Sequence, residues 1–216
     1  MDSLPPNIVR PPNQAALVNV DVGARCAASE RVAEDGVQTG ELVVRGPWVT
    51  GDYYNHPTAT DDAFVQLDGT GDDPWLRTGD IASMESGGAI AICDRAKDLI
   101  KSGGEWISSA DLEGHATAIE GISLAAVVGR PHPKWDERPI VVAVVDGDSA
   151  GGAGTTAEEL LAALRAHLEE HGFARYELPD DVVLWDALPL TGTGKLDKKV
   201  VRTKLDAEGY VLPSLR

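Results

Sequence analysis

The chain has 216 residues, 43% of them hydrophobic and 25% charged, an ordinary globular composition with apolar content for one large core or two small ones. Its net charge of −16 and pI near 4.6 exclude a non-specific grip on nucleic acid or anionic lipid, because neutralising phosphates needs a basic surface. Acidic ligands must therefore be met by local lysines and arginines.

Along the chain, residues 1–15 carry four prolines and two asparagines, which predict irregular backbone, and the lead-in 1–39 shows no clear pattern. Short apolar runs bounded by Gly, Asp and Pro at 41–45, 63–67, 75–77 and 89–93 predict small strands of a barrel-like sheet. From position 94 the pattern changes. A helix is predicted over 110–119, near-continuous apolar strands over 122–128 and 140–145, and a second helix over 157–170. In that helix Leu160, Leu164 and Leu168 fall four apart, and Thr156 with Glu159 spells a capping box. The Gly/Ala/Ser-rich stretch 149–154 before it reads as a surface loop, 182–185 as a further strand and 197–205 as a closing helix. The expected fold class is α+β: a small β-rich, barrel-like part followed by an α+β domain.

Several absences bound the function. Cys26 and Cys93 stand 67 positions apart, and no Cys-x-x-Cys or His/Cys cluster has metal-ligand spacing, so a reducing setting and no metal are expected. His115, His167 and His171 sit on helical patterns among charges and are read as facing solvent, while Trp106 and Trp135 are read as packing residues. No stretch approaches the roughly 18 apolar residues needed to cross a bilayer, and the start has no basic segment followed by an apolar one. A cytoplasmic location is expected. The sequence shows no internal repeat.

The most informative residue is Lys195, in Pro189-Leu190-Thr191-Gly192-Thr193-Gly194-Lys195-Leu196-Asp197. Gly192 and Gly194 let the backbone approach a ligand closely, Pro189 stiffens the entry, and Leu196, Val200, Val201 and Leu205 recur at helical spacing behind the lysine. Such a lysine is placed to meet an anion. Neither phosphate motif fits, however: position 189 is Pro and 196 is Leu where a P-loop needs Gly and Ser or Thr, and Asp197 stands where a dinucleotide loop needs its third glycine. Taken alone, the loop also reads as a surface turn with a solvated lysine.

Two further motifs precede it. Thr78-Gly79-Asp80 follows the apolar pair Trp75-Leu76, and Asp94-Arg95-Ala96-Lys97-Asp98-Leu99-Ile100-Lys101-Ser102-Gly103-Gly104-Glu105-Trp106-Ile107-Ser108 follows the expected strand at 89–93. In this order, with the Gly-Lys loop last, the segments resemble the adenylate-forming (AMP-dependent) acyl-CoA synthetase superfamily in its C-terminal part. The wording around Gly103 looks most like its medium- and long-chain fatty acyl-CoA ligases. The resemblance runs from near Gly40 to about Leu205.

That resemblance implies the β-rich end of a large N-terminal adenylation domain at 40–93, a hinge at 94–98 and a rotating C-terminal domain at 99–216. It implies ATP, a fatty or other carboxylic acid and CoA as ligands: acyl-AMP and pyrophosphate form first, then acyl-CoA and AMP. Lys195 matches the cation of the first step. Asp80 matches the carboxylate that takes the two ribose hydroxyls, and Arg95 the arginine that also contacts the ribose; a turn aspartate, and for Arg95 a surface ion pair with Asp94 or Asp98, are the alternatives. Lys97 stands at the hinge residue, where many relatives have aspartate and others lysine. Ser102, Gly103, Gly104 and Glu105 match the loop bordering the pantetheine tunnel, and a two-glycine hairpin is the alternative. Pro131-His132-Pro133-Lys134-Trp135-Asp136-Glu137-Arg138 resembles a linking segment and carries no assigned chemistry. The family's Ser/Thr/Gly-rich phosphate loop and its Mg²⁺-holding glutamate are not found, so Mg²⁺ and the acyl pocket are expected from an N-terminal adenylation domain in cis or in trans, and the chain alone is expected to be inactive. A non-catalytic adenylate- or CoA-binding partner subunit, or an acidic interaction domain, remains the alternative.

Overall fold

The computed structural model describes residues 14–18, 32–47, 49–66, 74–146 and 155–215. The chain divides into two compact units, Met1–Lys97 and Asp98–Arg216.

The first unit is built on one antiparallel sheet of β1 (Gln14–Val18), β2 (Thr39–Arg45), β3 (Phe64–Val65), β4 (Trp75–Met84) and β5 (Ile90–Arg95), with the short helix α1 (Pro57–Ala63). Strand β4 is its spine. It pairs with β2 along one edge, and on the other with β3 at Trp75 and Leu76 and with β5 from Asp80 to Met84. Ala16, Val43, Val65 and Trp75 bury one side chain cluster together. Register shifts in β2 between Glu41 and Val43, and between Ile81 and Ala82 in the β4–β5 pair, flank Thr78-Gly79-Asp80, which lies inside β4, a strand that runs on past the expected 75–77. Such bulges re-aim side chains.

Two expectations are corrected here. Residues 57–63 form α1, started by Pro57 with its preset φ, so only Phe64 and Val65 of the strand expected at 63–67 are extended, and Leu67 lies outside the described residues. The lead-in is not wholly irregular, because Gln14–Val18 pairs antiparallel with β2. A five-residue run has too little period of its own to announce a strand; its partner's edge decides it.

The second unit contains β6 (Ile100–Ser102), β7 (Glu105–Ile107), α2 (Ser109–Thr117), β8 (Ile122–His132), β9 (Asp136–Val145), α3 (Ala157–Glu170), β10 (Asp181–Leu184), α4 (Lys198–Ala207) and a 3₁₀ turn (Pro213–Leu215). Strand β9 is central: β8 pairs antiparallel with it, β10 parallel, and β6 joins at Ser102↔Asp136 and carries β7. Both faces are covered. Ala125, Val127, Val141 and Ala143 pack under α2 and α3, whereas Ala126, Val128, Ile140 and Val142 pack under α4. A strand buried on both faces has no polar face to alternate with, which is why β8 and β9 read as continuous apolar runs. Both extend further than those runs, because hairpin pairing continues to His132↔Asp136 through polar residues.

Leu160, Leu164 and Leu168 of α3 are buried, each contributing roughly 1.5–3 kcal/mol by leaving water. Thr156 accepts from the Glu159 amide and Glu159 accepts from the Thr156 amide, completing the capping box. The Thr156 amide, and then its hydroxyl, hold the Glu159 carboxyl below its usual range. Helix α4 starts at Asp197, whose carboxylate accepts from the Val200 amide, and it buries Val201 and Leu205 while Val200 stays exposed, unlike the expected stripe. The chain is α+β, as its patterning implies. The surface loop expected at 149–154 lies outside the described residues. Among the described residues no helix is long and apolar enough to cross a membrane.

Candidate functional site

In the first unit the two expected nucleotide residues meet. Asp80 and Arg95 are directly opposite each other on β4 and β5, and Arg95 Nε lies 2.9 Å from Asp80 Oδ1. The expected alternative partners of Arg95, Asp94 and Asp98, are buried and engaged otherwise: Asp94 accepts from the Arg95 amide at 2.7 Å and Asp98 pairs with Arg202 at 3.0 Å. Gly79 has φ +72°, a conformation that disfavours any side chain, and it places Asp80 beside the Arg95 fork. Thr78 Oγ1 donates to the Leu42 carbonyl and accepts from the Asp80 amide, and Arg95 Nη1 donates to the Thr78 carbonyl. Beneath lies a buried support. Glu41 takes Arg77 Nε and Nη2 at 2.9 and 2.7 Å and the Gly79 amide at 3.2 Å.

Partly buried Asp80 thus presents a carboxylate held by Arg95 from the facing strand, an acceptor suited to a vicinal diol. Glu41 and Arg77 were not singled out from sequence. They come together only through β2–β4 pairing, and no local pattern marks them.

In the second unit, Ser102, Gly103, Gly104 and Glu105 form the turn of the β6–β7 hairpin, with Gly103 at φ +64° and Gly104 at φ +94°. Ser102 is buried and accepts from Arg138 Nη1 at 2.9 Å, while Glu105 is exposed. The Gly103 amide donates to the Trp135 carbonyl at 2.9 Å, and a Cβ added at Gly103 would lie 3.1 Å from Trp135 Cε3. The backbone here runs against an indole. A cleft of about 450 Å³ opens beside it, lined by His132, Trp135, Arg138, Arg175, Tyr176 and Asp180, with Ser214. Burial, then the charges of Glu177 and Glu105, push the Tyr176 phenol pKa up.

Trp106 and Trp135, expected to be packing residues, are only partly covered, at 37% and 39% exposure, and each lies under a lysine, Lys101 at 5.4 Å and Lys134 at 4.4 Å. His132 accepts from the Lys134 amide, and Glu137 accepts from the Lys101 amide and packs on Gly129.

Lys195 sits on a loop that closes on itself. An antiparallel bridge joins Leu190 and Leu196, the Thr191 amide donates to the Lys195 carbonyl at 2.7 Å, and the Lys195 amide donates to Thr191 Oγ1 at 3.2 Å. Gly194, at φ +80°, donates to the Thr191 carbonyl. The side chain of Lys195 is exposed and has no partner among the described residues. Three residues on, Lys198 is the opposite: its ammonium lies 2.6 Å from Ser109 Oγ and 2.8 Å from Glu113 Oε1. Among the described residues no hydrogen bond or ion pair joins Lys195 to the 102–105 turn. Lys97 is exposed and ends the first unit.

Residues 111–195 match the family of AMP-binding enzyme C-terminal domains. The chain is 44% identical over 79% of its length to the long-chain-fatty-acid–CoA ligase of Thermus thermophilus, covering 29% of that protein. It is 45% identical over 78% of its length to the 3-methylmercaptopropionyl-CoA ligase of Ruegeria lacuscaerulensis, covering 28%. The crystal structure of ATP-bound MatB from Rhodopseudomonas palustris superposes with a TM-score of 0.72 at 26% identity, over 90% of this chain and 34% of MatB. This chain belongs to the adenylate-forming acyl-CoA synthetase superfamily. It spans less than a third of the length of the curated relatives it matches. As a member of that superfamily, it shows near-equal likeness to ligases named for different acids, so these residues do not single out an acid.

The histidines depart from expectation. His115, His167 and His171 do not simply face solvent; they form one cluster at the ends of α2 and α3, with ligand atoms within 4.8 Å of one another. The i,i+4 spacing of His167 and His171 was visible in sequence, but His115 joins them only through helix packing.

Proposed function

We propose that the chain is the C-terminal portion of an ATP-dependent acyl-CoA ligase. In the first half-reaction a carboxylate oxygen bonds the α-phosphorus of ATP and pyrophosphate leaves; in the second, the CoA sulfur bonds the acyl carbon and AMP leaves. Both halves need positioned charge; in the first, negative charge gathers where carboxylate and phosphate oxygens approach. Lys195 is the residue for the first half. The observation that carries this reading is the contrast between Lys198, tied to Ser109 and Glu113, and Lys195, held out on a self-closed loop with its ammonium unspent.

Asp80 takes the ribose hydroxyls of ATP and AMP, with Arg95 holding its carboxylate in place and offering further donors. Lys97, at the border of the two units, is the hinge that absorbs the φ/ψ change between half-reactions. The Ser102–Gly103–Gly104–Glu105 turn borders the path of the pantetheine arm, its bare glycines letting a narrow ligand pass close to backbone. Phosphate binding, Mg²⁺ and the acyl pocket belong to a large adenylation domain, in cis or in trans. The acid is a fatty or other carboxylic acid.

The test separates the two halves. At about 4 Å and an effective dielectric of about 20, a unit charge pair is worth roughly 4 kcal/mol, on the order of a thousandfold in rate. In the assembled ligase, Lys195→Ala should slow pyrophosphate release by that order and leave CoA attack on a supplied acyl adenylate unchanged. Equal losses in both halves would refute the assignment.

A further inference from the structure

Away from the residues above, α2 and α3 bring three imidazoles together. His115 Nδ1 and His167 Nε2 are 3.0 Å apart, and His171 packs against both rings, with centroids 5.0 Å from His115 and 4.1 Å from His167. Zn–N bonds of about 2.0–2.1 Å at the tetrahedral angle put nitrogen ligands roughly 3.3 Å apart, so the His115–His167 pair already has the separation of two ligands. Only His171, on the exposed end of α3, has to turn inward to join them.

The Nδ1 of His171 lies 2.7 Å from the His167 carbonyl oxygen, which can only accept, so Nδ1 carries a proton and Nε2 is the nitrogen this ring would offer a metal. An imidazole that donates one nitrogen to a backbone carbonyl while offering the other is the usual second contact of a metal-bound histidine.

The electrostatics favour one compact cation over protonated rings. His115 lies in the last turn of α2 and His167 in the last turn of α3, so the negative ends of two helix dipoles converge on the cluster. Burial, and then repulsion from His167 and His171, hold the His115 pKa below its usual value, while Asp111 one turn away acts in the opposite sense. A divalent ion held by the three rings would lie at both of those negative ends.

We propose that His115, His167 and His171 bind one divalent transition-metal ion of the zinc class, clamping the C-terminal ends of α2 and α3 and leaving a fourth position to solvent. Imidazole donors select zinc, copper or nickel over magnesium or calcium. This proposal does not rest on the ligase reading.

The test uses the untagged chain titrated with Zn²⁺ in a calorimeter, and with Co²⁺ followed in the visible, against His115→Gln and His171→Gln. The expected result is one ion per chain with micromolar or tighter affinity, a Co²⁺ spectrum of tetrahedral type, and affinity lowered at least about tenfold in each variant. His171→Gln changes an exposed residue at a helix end, so its fold, checked by circular dichroism, should match the parent and keep the comparison readable. No uptake at micromolar Zn²⁺, or uptake that neither substitution weakens, would overturn the proposal and leave the cluster as hydrogen-bonded packing between two helices.

Discussion

Replacing Arg138 by Met should cost the second unit about 3–5 kcal/mol. The guanidinium is almost wholly buried, its Nε and Nη2 lie 3.0 and 2.8 Å from Asp180 Oδ1, Nη2 donates to the Leu178 carbonyl at 2.8 Å, and Nη1 donates to Ser102 Oγ and the Tyr176 carbonyl. Met fills the volume but donates nothing, so it strands a mostly buried carboxylate and two carbonyls, and it is the stranded charge that sets the magnitude. The double variant Arg138→Met/Asp180→Asn should recover part of the loss, since no charge is then left unpaired. As a control, Glu208→Ala removes an exposed i,i+4 pair at 3.8 Å and should cost only a few tenths of a kcal/mol. Urea denaturation read by hydrogen exchange of peptides across β8 and β9 measures all three. A loss below about 1 kcal/mol for Arg138→Met, or a double variant worse than the sum of its parts, would show that the network is not what holds the 102–105 turn to the β9–β10 edge.

Lys97→Pro fixes φ at the border of the two units and should slow thioester formation more than adenylation in the assembled ligase; unchanged thioester formation would count against the hinge. Gly103→Ala puts a Cβ at φ +64° and 3.1 Å from Trp135, and should cost roughly 1–2 kcal/mol by thermal melting while raising the KM for CoA; a neutral melt with an unchanged KM would remove the turn from the CoA path. Thr156→Ala breaks the capping box of α3 and should cost about 1 kcal/mol by denaturant titration. Because Glu159 has a depressed pKa in the fold, the cap's contribution is fully present above the ordinary carboxylate range and is lost as pH falls through the depressed value. Glu159→Gln, which removes the titrating carboxyl itself, should therefore flatten the acid limb of the stability profile, and an unaltered slope would refute that link.

Where a signal is local, the sequence carried it. Helix α3 begins and ends at the residues its leucine spacing and capping box predicted, and the Gly-Lys segment forms the tight, glycine-bent loop its spelling requires, whereas Thr78-Gly79-Asp80 is absorbed into the long strand β4. What was not legible is pairwise across the sheet or between helices. Glu41 under Arg77, Arg138 reaching Ser102 and Asp180, and His115 meeting His167 join residues 36, 36, 42 and 52 positions apart, and no window on the sequence contains both partners. The same holds for β1, whose existence depends on the edge of β2, and for the strand expected at 63–67, which is cut to Phe64 and Val65 because α1 runs on to Ala63.

The design of the Lys195 loop bears on how its substitution can be read. In a chain with 35 acidic and 19 basic residues, an exposed ammonium has many carboxylates to pair with, yet Lys195 has none among the described residues. The loop holds its shape without the lysine side chain: the Leu190–Leu196 bridge, the Thr191 amide on the Lys195 carbonyl, and the Lys195 amide on Thr191 Oγ1 all survive its loss. Removing the ammonium should then leave the amide chemical shifts of Gly192, Thr193 and Gly194 and the melting temperature unchanged, so that any lost adenylation is lost charge and not lost structure. Lys198→Ala should do the reverse, because it strands the half-buried Glu113 carboxylate that also accepts from the Val127 amide, and it should lower stability. If Lys195→Ala melted earlier or shifted the loop amides, the lysine would be part of the scaffold, and its exposure would say nothing about chemistry.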